Sequence, residues 1–142
     1  MYLQVTIKKL IYIQKIYILM FSENKKYSGK HMICDIREVQ NLQLLNNIHG
    51  MKEILNNICN KYDYTILSRT EYEFDPQGLT ILYLLSESHI SIHTFPECRY
   101  FALDIYTCRE YKDNKEYMEI YDYLVNVFEA KKDEPIIINR RF

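Results

Sequence analysis

The sequence has 142 residues, with 18 basic and 19 acidic side chains, a formal net charge of −1 and a hydrophobic content of 48%. This length suits one domain with a single buried core and is too short for two independent domains. Because opposite charges are interspersed along the chain, no basic face of the kind that binds phosphate backbones is predicted, and nucleic acid is not an expected partner.

The first 21 residues, MYLQVTIKKLIYIQKIYILMF, are apolar enough to raise the question of a membrane span or a signal peptide. Gln14 and Lys15 divide this run and no small-residue cleavage site follows it, so we expect neither. We interpret residues 1–28 as an N-terminal extension. It is either an extra edge strand or a segment upstream of a true start at Met20. The remaining residues, 29–142, form the single predicted domain.

Apolar side chains recur every three or four positions in residues 39–62 and again in residues 114–130, which predicts two amphipathic helices. Runs rich in β-formers predict strands at residues 64–68, 79–85, 89–93, 99–107 and 136–138. The strands cluster as hairpins instead of alternating with helices. We therefore expect an α+β fold, a two-layer sandwich of an antiparallel β-sheet with two helices packed on one face.

One strand segment concentrates polar groups that could carry chemistry. Residues 85–97 read LSESHISIHTFPE and contain three serines, two histidines and two glutamates. His89, Ser91 and His93 alternate with two isoleucines, so the three polar side chains share one face of the strand while the isoleucines enter the core. Alternation alone is equally consistent with an ordinary exposed strand face.

The four cysteines, Cys34, Cys59, Cys98 and Cys108, lie far apart. None of them has the C-x-x-C or C-x-x-H spacing of a zinc site or a redox pair, so we expect no metal. Free cysteines fit a reducing compartment, and we expect a cytoplasmic protein. Cys59 falls on the apolar side of the first predicted helix, which indicates a small core residue.

The segment SESHISIHTFPE resembles the processing and active-site segment of the bacterial and archaeal class of S-adenosylmethionine decarboxylases. Further matches occur in order and at compatible spacing: Phe74, Pro76 and Gly78 with F-x-P-x-G, DIYTC at 104–108 with D-x-[FY]-T-C, and GKHMICD at 29–35 with G-x-H-x-x-x-D. The resemblance covers residues 29 to about 138, which is nearly the whole predicted domain.

The resemblance implies that the chain cuts itself. In this family a serine hydroxyl attacks the preceding carbonyl, the peptide becomes an ester, and elimination leaves dehydroalanine and finally a pyruvoyl group. Ser88 matches that serine and Glu87 supplies the carbonyl. The β chain would therefore end at Glu87, and the α chain would begin with the pyruvoyl group derived from Ser88.

His93 matches the histidine that the family uses in processing, and Thr80 stands where a serine of the processing machinery is usual. On a continuous strand Ser88 and His93 face opposite sides, so we expect a bend at the cleavage point to bring them together. On geometry alone, His89 is an equally plausible partner for Ser88, and we rank it second.

The resemblance also implies S-adenosylmethionine as the substrate and the self-made pyruvoyl group as the only cofactor, acting as an electron sink. Cys108 matches the acid that protonates the product. Phe74, Phe95 and Glu97 match substrate-binding positions. Phe95 stands where many members have Trp, and Phe is the weaker partner for a sulfonium cation.

Several readings of function and assembly stay open. The fold could serve a pyruvoyl-dependent decarboxylase of arginine or ornithine, or an inactive regulatory partner subunit. A Ser-His-Asp hydrolase built from Ser88 or Ser91 with His93 and Asp104 lacks a nucleophile-elbow signature. For the decarboxylase, the resemblance implies a homodimer of cleaved protomers with residues of both subunits near each site, and a role in spermidine synthesis.

Overall fold

The computed structural model describes residues 29–140, so the expected N-terminal extension lies outside the described residues. The strands are β1 (Gly29–Ile36), β2 (Ile66–Glu73), β3 (Leu79–Leu85), β4 (Ser88–Phe95), β5 (Tyr100–Thr107) and β6 (Ile136–Arg140), and the helices are α1 (Ile48–Lys61) and α2 (Lys115–Val127). The strands form one sheet in the order β2-β3-β4-β5-β1-β6. Every neighbouring pair is antiparallel.

The core lies between one face of the sheet and the two helices. Along β3, Ile81 and Tyr83 are fully buried, and Ile90 and Ile92 are fully buried along β4. The apolar sides of α1 and α2 close over these side chains. The alternate residues of each strand point to the opposite, uncovered face, called here the outer face. The predicted two-layer α+β sandwich is confirmed, and so is the alternation of residues 89–93.

The first predicted helix, residues 39–62, is wrong at its start. Its N-terminal part contains a short 3-10 helix (Leu44–Asn46), and α1 begins only at Ile48. The reason is Asn47, which has extended backbone angles and whose side chain accepts a hydrogen bond from the Gly50 N–H at 2.9 Å. An Asn in this position caps a helix and fixes where it starts.

Strand β1 was not predicted, although it lies inside the sheet between β5 and β6. Gly29 starts it with a φ of +134°, and a Cβ at this position would lie 2.0 Å from the Thr107 carbonyl oxygen. Only glycine permits so close an approach of two backbones. The glycine of the first motif therefore lets β1 run alongside β5 and places His31 opposite Tyr106.

The hairpin between β3 and β4 has a two-residue connection, Ser86 and Glu87, with Leu85 paired to Ser88. Strand β4 lies between β3 and β5. The Glu87–Ser88 bond therefore sits at the tip of a hairpin whose two strands are both interior strands of the sheet. Strand β2, at the sheet edge, is longer than predicted because it stays paired with β3 as far as Glu73.

The four cysteines are free thiols. Burial raises the pKa values of Cys34 and Cys59 to about 12, which fits the predicted core role of Cys59. Cys98 is exposed and Cys108 is half-buried. Within residues 29–140 no helix is long and apolar enough to cross a membrane.

Candidate active site

The backbone at Ser88 is held in a conformation that side chains rarely adopt, with a φ of +145°. At a φ of about +120° the Cβ of an L-residue eclipses the preceding carbonyl carbon, which is why this region is normally avoided. Ser88 is close to that arrangement, so its Cβ lies on the side of the Glu87 carbonyl. Such a conformation costs on the order of 1–3 kcal/mol and persists only where its surroundings enforce it.

The carbonyl that Ser88 would attack is already hydrogen-bonded. The Cys108 N–H donates to the Glu87 carbonyl oxygen at 2.8 Å. A fixed N–H at this position stabilises negative charge that develops on the oxygen during attack. The end of β5 therefore brings Cys108 beside the Glu87–Ser88 bond.

The buried side chain of Glu87 anchors the same turn. Its carboxylate is 1% exposed, lies 2.9 Å from Nη2 of Arg109 and accepts a hydrogen bond from the Thr65 N–H at 3.0 Å. Arg109 also donates to the carbonyl oxygens of Tyr62 and Asp63. Burial lowers the pKa of Arg109, but the hydrogen bond and charge of Glu87 raise that pKa above its ordinary value. Arg109 therefore keeps its positive charge beside Glu87.

A chain of imidazoles and carboxylate extends from Ser88 across the outer face. Ser88 Oγ lies 3.2 Å from His89 Nδ1, and His89 Nε2 lies 2.8 Å from Asp104 Oδ1. The other oxygen of Asp104 lies 2.8 Å from His31 Nε2. Within residues 29–140, His31, His89 and Asp104 form the one group with ligand atoms close enough to hold a metal, all within 4.8 Å.

Arg140 ends this chain of contacts. Its guanidinium donates from Nη1 to His31 Nδ1 at 3.0 Å and lies over the ring of Tyr106 at 4.7 Å. The ring of Tyr106 also packs near both imidazoles, with its centroid 5.5 Å from that of His31 and 6.0 Å from that of His89. We name Ser88, His89, Asp104, His31 and Arg140 the Ser88 relay.

The remaining residues of the predicted site lie elsewhere. Thr80 and His93 face each other across β3 and β4, with Thr80 Oγ1 at 2.9 Å from His93 Nδ1. Phe95 is 40% exposed and stacks on Tyr100. Phe74 is 51% exposed. Glu97 accepts a hydrogen bond from Gln77 at 3.4 Å.

These residues therefore form two clusters on different parts of the sheet. Glu87, Ser88 and Cys108 lie together at one end of β4, whereas Thr80, His93, Phe74, Phe95 and Glu97 lie towards its other end. Strand β4 is continuous from Ser88 to Phe95, so His93 is about 17 Å from Ser88 at the usual rise per residue. The expected bend that would join Ser88 and His93 within one chain is wrong.

The hydrolase arrangement also fails on this geometry. His93 bonds Thr80 and not Asp104, while Asp104 is bound by His89 and His31. Asp35, the last residue of the first motif, lies outside both clusters. Hydrogen bonds from Tyr100 and Arg37 lower the pKa of its carboxyl.

Comparison with known proteins decides the family. The family model described as S-adenosylmethionine decarboxylase matches residues 30–141. The chain belongs to the S-adenosylmethionine decarboxylase family. The predicted family, the enzyme class and the function as an S-adenosylmethionine decarboxylase proenzyme are confirmed.

Individual relatives support the assignment over most of the chain. The S-adenosylmethionine decarboxylase proenzyme of Brevibacillus brevis is 42% identical over 104 residues, which is 73% of this chain and 75% of the relative. That of Clostridium botulinum is 38% identical over 109 residues, which is 77% of this chain and 90% of the relative. That of Methanococcus aeolicus is 41% identical over 61% of this chain and 73% of the relative. The chain is thus of the prokaryotic class.

A solved structure extends the likeness to the fold. The crystal structure of the adenosylmethionine decarboxylase from Aquifex aeolicus superposes with a TM-score of 0.71 at 29% identity, covering 83% of this chain and 94% of that chain. The six-stranded antiparallel sheet with two helices is therefore the fold of the S-adenosylmethionine decarboxylase family.

The Arg109 ion pair yields a direct test of how the cleavage turn is held. Arg109→Gln leaves the carboxylate of Glu87, 1% exposed, without its cation. We expect the loss of such a buried partner to lower the free energy of unfolding by about 3 kcal/mol and to slow self-cleavage. Urea unfolding and a cleavage time course measure the two effects.

The matched control is Arg37→Gln, which removes a guanidinium from the exposed pair with Asp35. Its urea midpoint and cleavage rate should stay close to those of the unmodified chain because exposed pairs contribute little. Equal effects of the two variants would contradict the anchoring role of Glu87.

Proposed function

We propose that the chain cuts itself between Glu87 and Ser88 and uses the resulting pyruvoyl group to decarboxylate S-adenosylmethionine. The observation that carries this proposal is the φ of +145° at Ser88, in a turn whose carbonyl oxygen is held by the Cys108 N–H. Membership of a family whose relatives are named as proenzymes supports it.

The cleavage is an internal rearrangement that needs no cofactor. Ser88 Oγ loses its proton and bonds to the Glu87 carbonyl carbon, the Glu87–Ser88 C–N bond breaks, and the freed nitrogen takes a proton. The product is an ester. Loss of the Ser88 Cα proton then breaks the Cβ–O bond, so the Glu87 carboxylate leaves and dehydroalanine forms. Its imine tautomer takes up one water and releases ammonia, which leaves the pyruvoyl ketone.

The surrounding residues suit a ketone at position 88. Strand β4 pairs with β3 on one side and β5 on the other, so the new chain start remains held by hydrogen bonds after the cut. The two fragments stay together because their separation would expose the shared core. The pyruvoyl group supplies an electron sink for the decarboxylation. Cys108, beside it, supplies the proton that replaces the lost carboxylate.

The two clusters of site residues become one site if a second copy of the chain covers the outer face. In a two-fold dimer, each contact occurs twice: if residue i of one copy contacts residue j of the other, then residue j of the first copy contacts residue i of the second. If the two sheets pack face to face with their β4 strands running in opposite directions, the His93 end of one β4 lies against the Ser88 end of the other. We therefore assign Thr80, His93, Phe74, Phe95 and Glu97 of one copy to the cleavage bond of its partner.

The outer face has the apolar character that such an interface needs. Large apolar side chains are exposed on it at Ile33, Tyr72, Leu82, Leu84, Phe95, Ile136 and Ile138. Most of these side chains lie on β2 and β3 or on β1 and β6, on either side of the polar residues of β4 and β5, and exposed apolar patches of this kind mark an interaction site. The second copy accounts for both the exposed surface and the split site.

Phe74 and Phe95 favour a flat, cationic substrate. Both rings are exposed at the His93 end of the sheet. An aromatic face attracts a cation and, unlike a carboxylate, carries no charge that must lose its hydration water on binding. S-adenosylmethionine combines a sulfonium cation with a planar adenine, and Glu97 can accept hydrogen bonds from its ribose hydroxyls.

Self-cleavage predicts a clear mass result. The unmodified chain should yield two fragments that divide between Glu87 and Ser88, whereas Ser88→Ala should stay one chain because it has no attacking oxygen. Ser91→Ala, in the same strand, should cleave like the unmodified chain. Intact-protein mass spectrometry measures all three, and an uncut unmodified chain would instead favour an inactive regulatory subunit.

The dimeric site predicts complementation between two defective chains. Ser88→Ala keeps His93, and His93→Ala keeps Ser88, so a mixed dimer contains one complete site. After coexpression with different tags, we expect the His93→Ala chain to yield cleaved fragments that it does not form alone. The control partner is the double variant Ser88→Ala/His93→Ala. Absence of cleavage in isolated mixed dimers would contradict the shared site.

Substrate choice is tested by direct comparison. We expect carbon dioxide release from S-adenosylmethionine at a kcat/KM at least 100-fold above that for arginine or ornithine, because those two substrates present no adenine to the aromatic rings. Release of labelled carbon dioxide from each compound measures this. Turnover of arginine or ornithine alone would assign the chain to the alternative decarboxylase.

A further inference from the structure

The Ser88 relay contains two histidines whose protonation the neighbouring groups fix. The guanidinium of Arg140 has only donors, so His31 Nδ1, 3.0 Å away, must accept its hydrogen bond. The proton of neutral His31 is therefore on Nε2, where it is donated to Asp104 Oδ2 at 2.8 Å. Hydrogen bonds are therefore donated from Arg140 to His31 and from His31 to Asp104.

The hydrogen bond between His89 and Asp104 also fixes the proton of His89. The Asp104 carboxylate has only acceptors, so the second hydrogen bond, at 2.8 Å, places the proton of His89 on Nε2 as well. In neutral His89, Nδ1 then carries the lone pair and faces Ser88 Oγ at 3.2 Å. The serine hydroxyl is left as the donor. That arrangement is required of a base acting on a serine nucleophile.

We infer that His89 is the base that removes the Ser88 Oγ proton in the first step of self-cleavage, and that Asp104, His31 and Arg140 are positioning residues that fix its tautomer. This inference rests on the proposed self-cleavage and deepens it. It assigns the first step to groups of the same chain.

The proton balance of that step closes on His89. Nδ1 takes the proton from Ser88 Oγ as the oxygen bonds to the Glu87 carbonyl carbon. The imidazolium, stabilised by Asp104, returns the proton to the Ser88 nitrogen as the C–N bond breaks. The ester forms with no net proton change. His93, about 17 Å along β4 in the same chain, is left for the later elimination in the partner's site.

The relay is arranged for proton transfer and not for a metal ion. Both imidazole Nε2 atoms face the oxygens of one carboxylate at hydrogen-bond distance, so each holds a proton that a metal would have to displace. The guanidinium at His31 adds a positive charge that repels a cation. Self-cleavage should therefore proceed unchanged in the presence of a chelator.

The decisive experiment separates ester formation from elimination. Hydroxylamine cleaves an ester but leaves a peptide bond intact, and the ester form has the same mass as the uncut chain. We expect His93→Ala to accumulate the ester and to release fragments with hydroxylamine. His89→Ala should form the ester at least 100-fold more slowly, because general base catalysis contributes about 10²–10⁴ in rate.

Matched variants separate a chemical role from a structural one. His49→Gln, on the exposed side of α1, should cleave at the unmodified rate. Added imidazole should restore part of the rate to His89→Ala, which a purely structural defect would not permit. Asp104→Asn should slow ester formation about 10-fold or more, and Asp35→Asn, which removes another outer-face carboxylate, should not.

The tautomer of His89 and the response of cleavage to a chelator provide independent readouts. In the uncleavable Ser88→Ala chain, long-range ¹H–¹⁵N NMR should show His89 protonated on Nε2, and Asp104→Asn should remove that preference. An unmodified rate of ester formation in His89→Ala would overturn the inference while leaving self-cleavage intact. Cleavage that stops in EDTA and returns with Zn²⁺ would also overturn it. An uncut unmodified chain would contradict self-cleavage and the role of His89 together.

Discussion

The ion pair between Glu87 and Arg109 fixes the residue on which the cleavage chemistry depends. A carboxylate that is 1% exposed cannot leave its guanidinium without a large desolvation penalty, so Glu87 stays in place. The two-residue connection then leaves Ser88 no freedom to relax, because β4 pairs on both sides directly after it. The positive φ of Ser88 is a consequence of these two constraints. Cleavage of the Glu87–Ser88 bond removes the connection that imposes the strain.

The same constraint explains why the chemistry is placed inside the sheet instead of on a mobile loop. A site built on interior strands keeps its groups in fixed register, and the register sets His89 opposite Tyr106, and Ser91 opposite Asp104. Glu87 O, Ser88 Oγ and His89 Nδ1 are thus positioned by backbone pairing. The two products of the cut remain strands of one sheet, so the fold survives the loss of a covalent bond.

Much of this arrangement follows from sequence pattern. The 3.6-residue periodicity gave both helices, and the alternation at residues 89–93 gave the buried and outer faces of β4. Strand β1 was missed because charged motif residues interrupt its run of β-formers. Its interior position depends on pairing with β5 and β6, which are far away in sequence. The role of Arg109 and the positive φ of Ser88 have no local signature, since both depend on contacts across the sheet. Family motifs selected His93, whereas the geometry of one chain selects His89.

These two histidines need not compete, since they lie at opposite ends of one strand and suit different steps. His89 faces the attacking oxygen of its own chain, and His93 with Thr80 faces the surface that a second copy would cover. The most direct test of the self-made catalytic group is the chemistry of the new chain start at residue 88. Tandem mass spectrometry after treatment with phenylhydrazine should find a fragment that begins with a pyruvoyl group at position 88 and carries the hydrazone. A fragment that begins with an unmodified serine and a free amine would show ordinary hydrolysis and contradict the proposed mechanism.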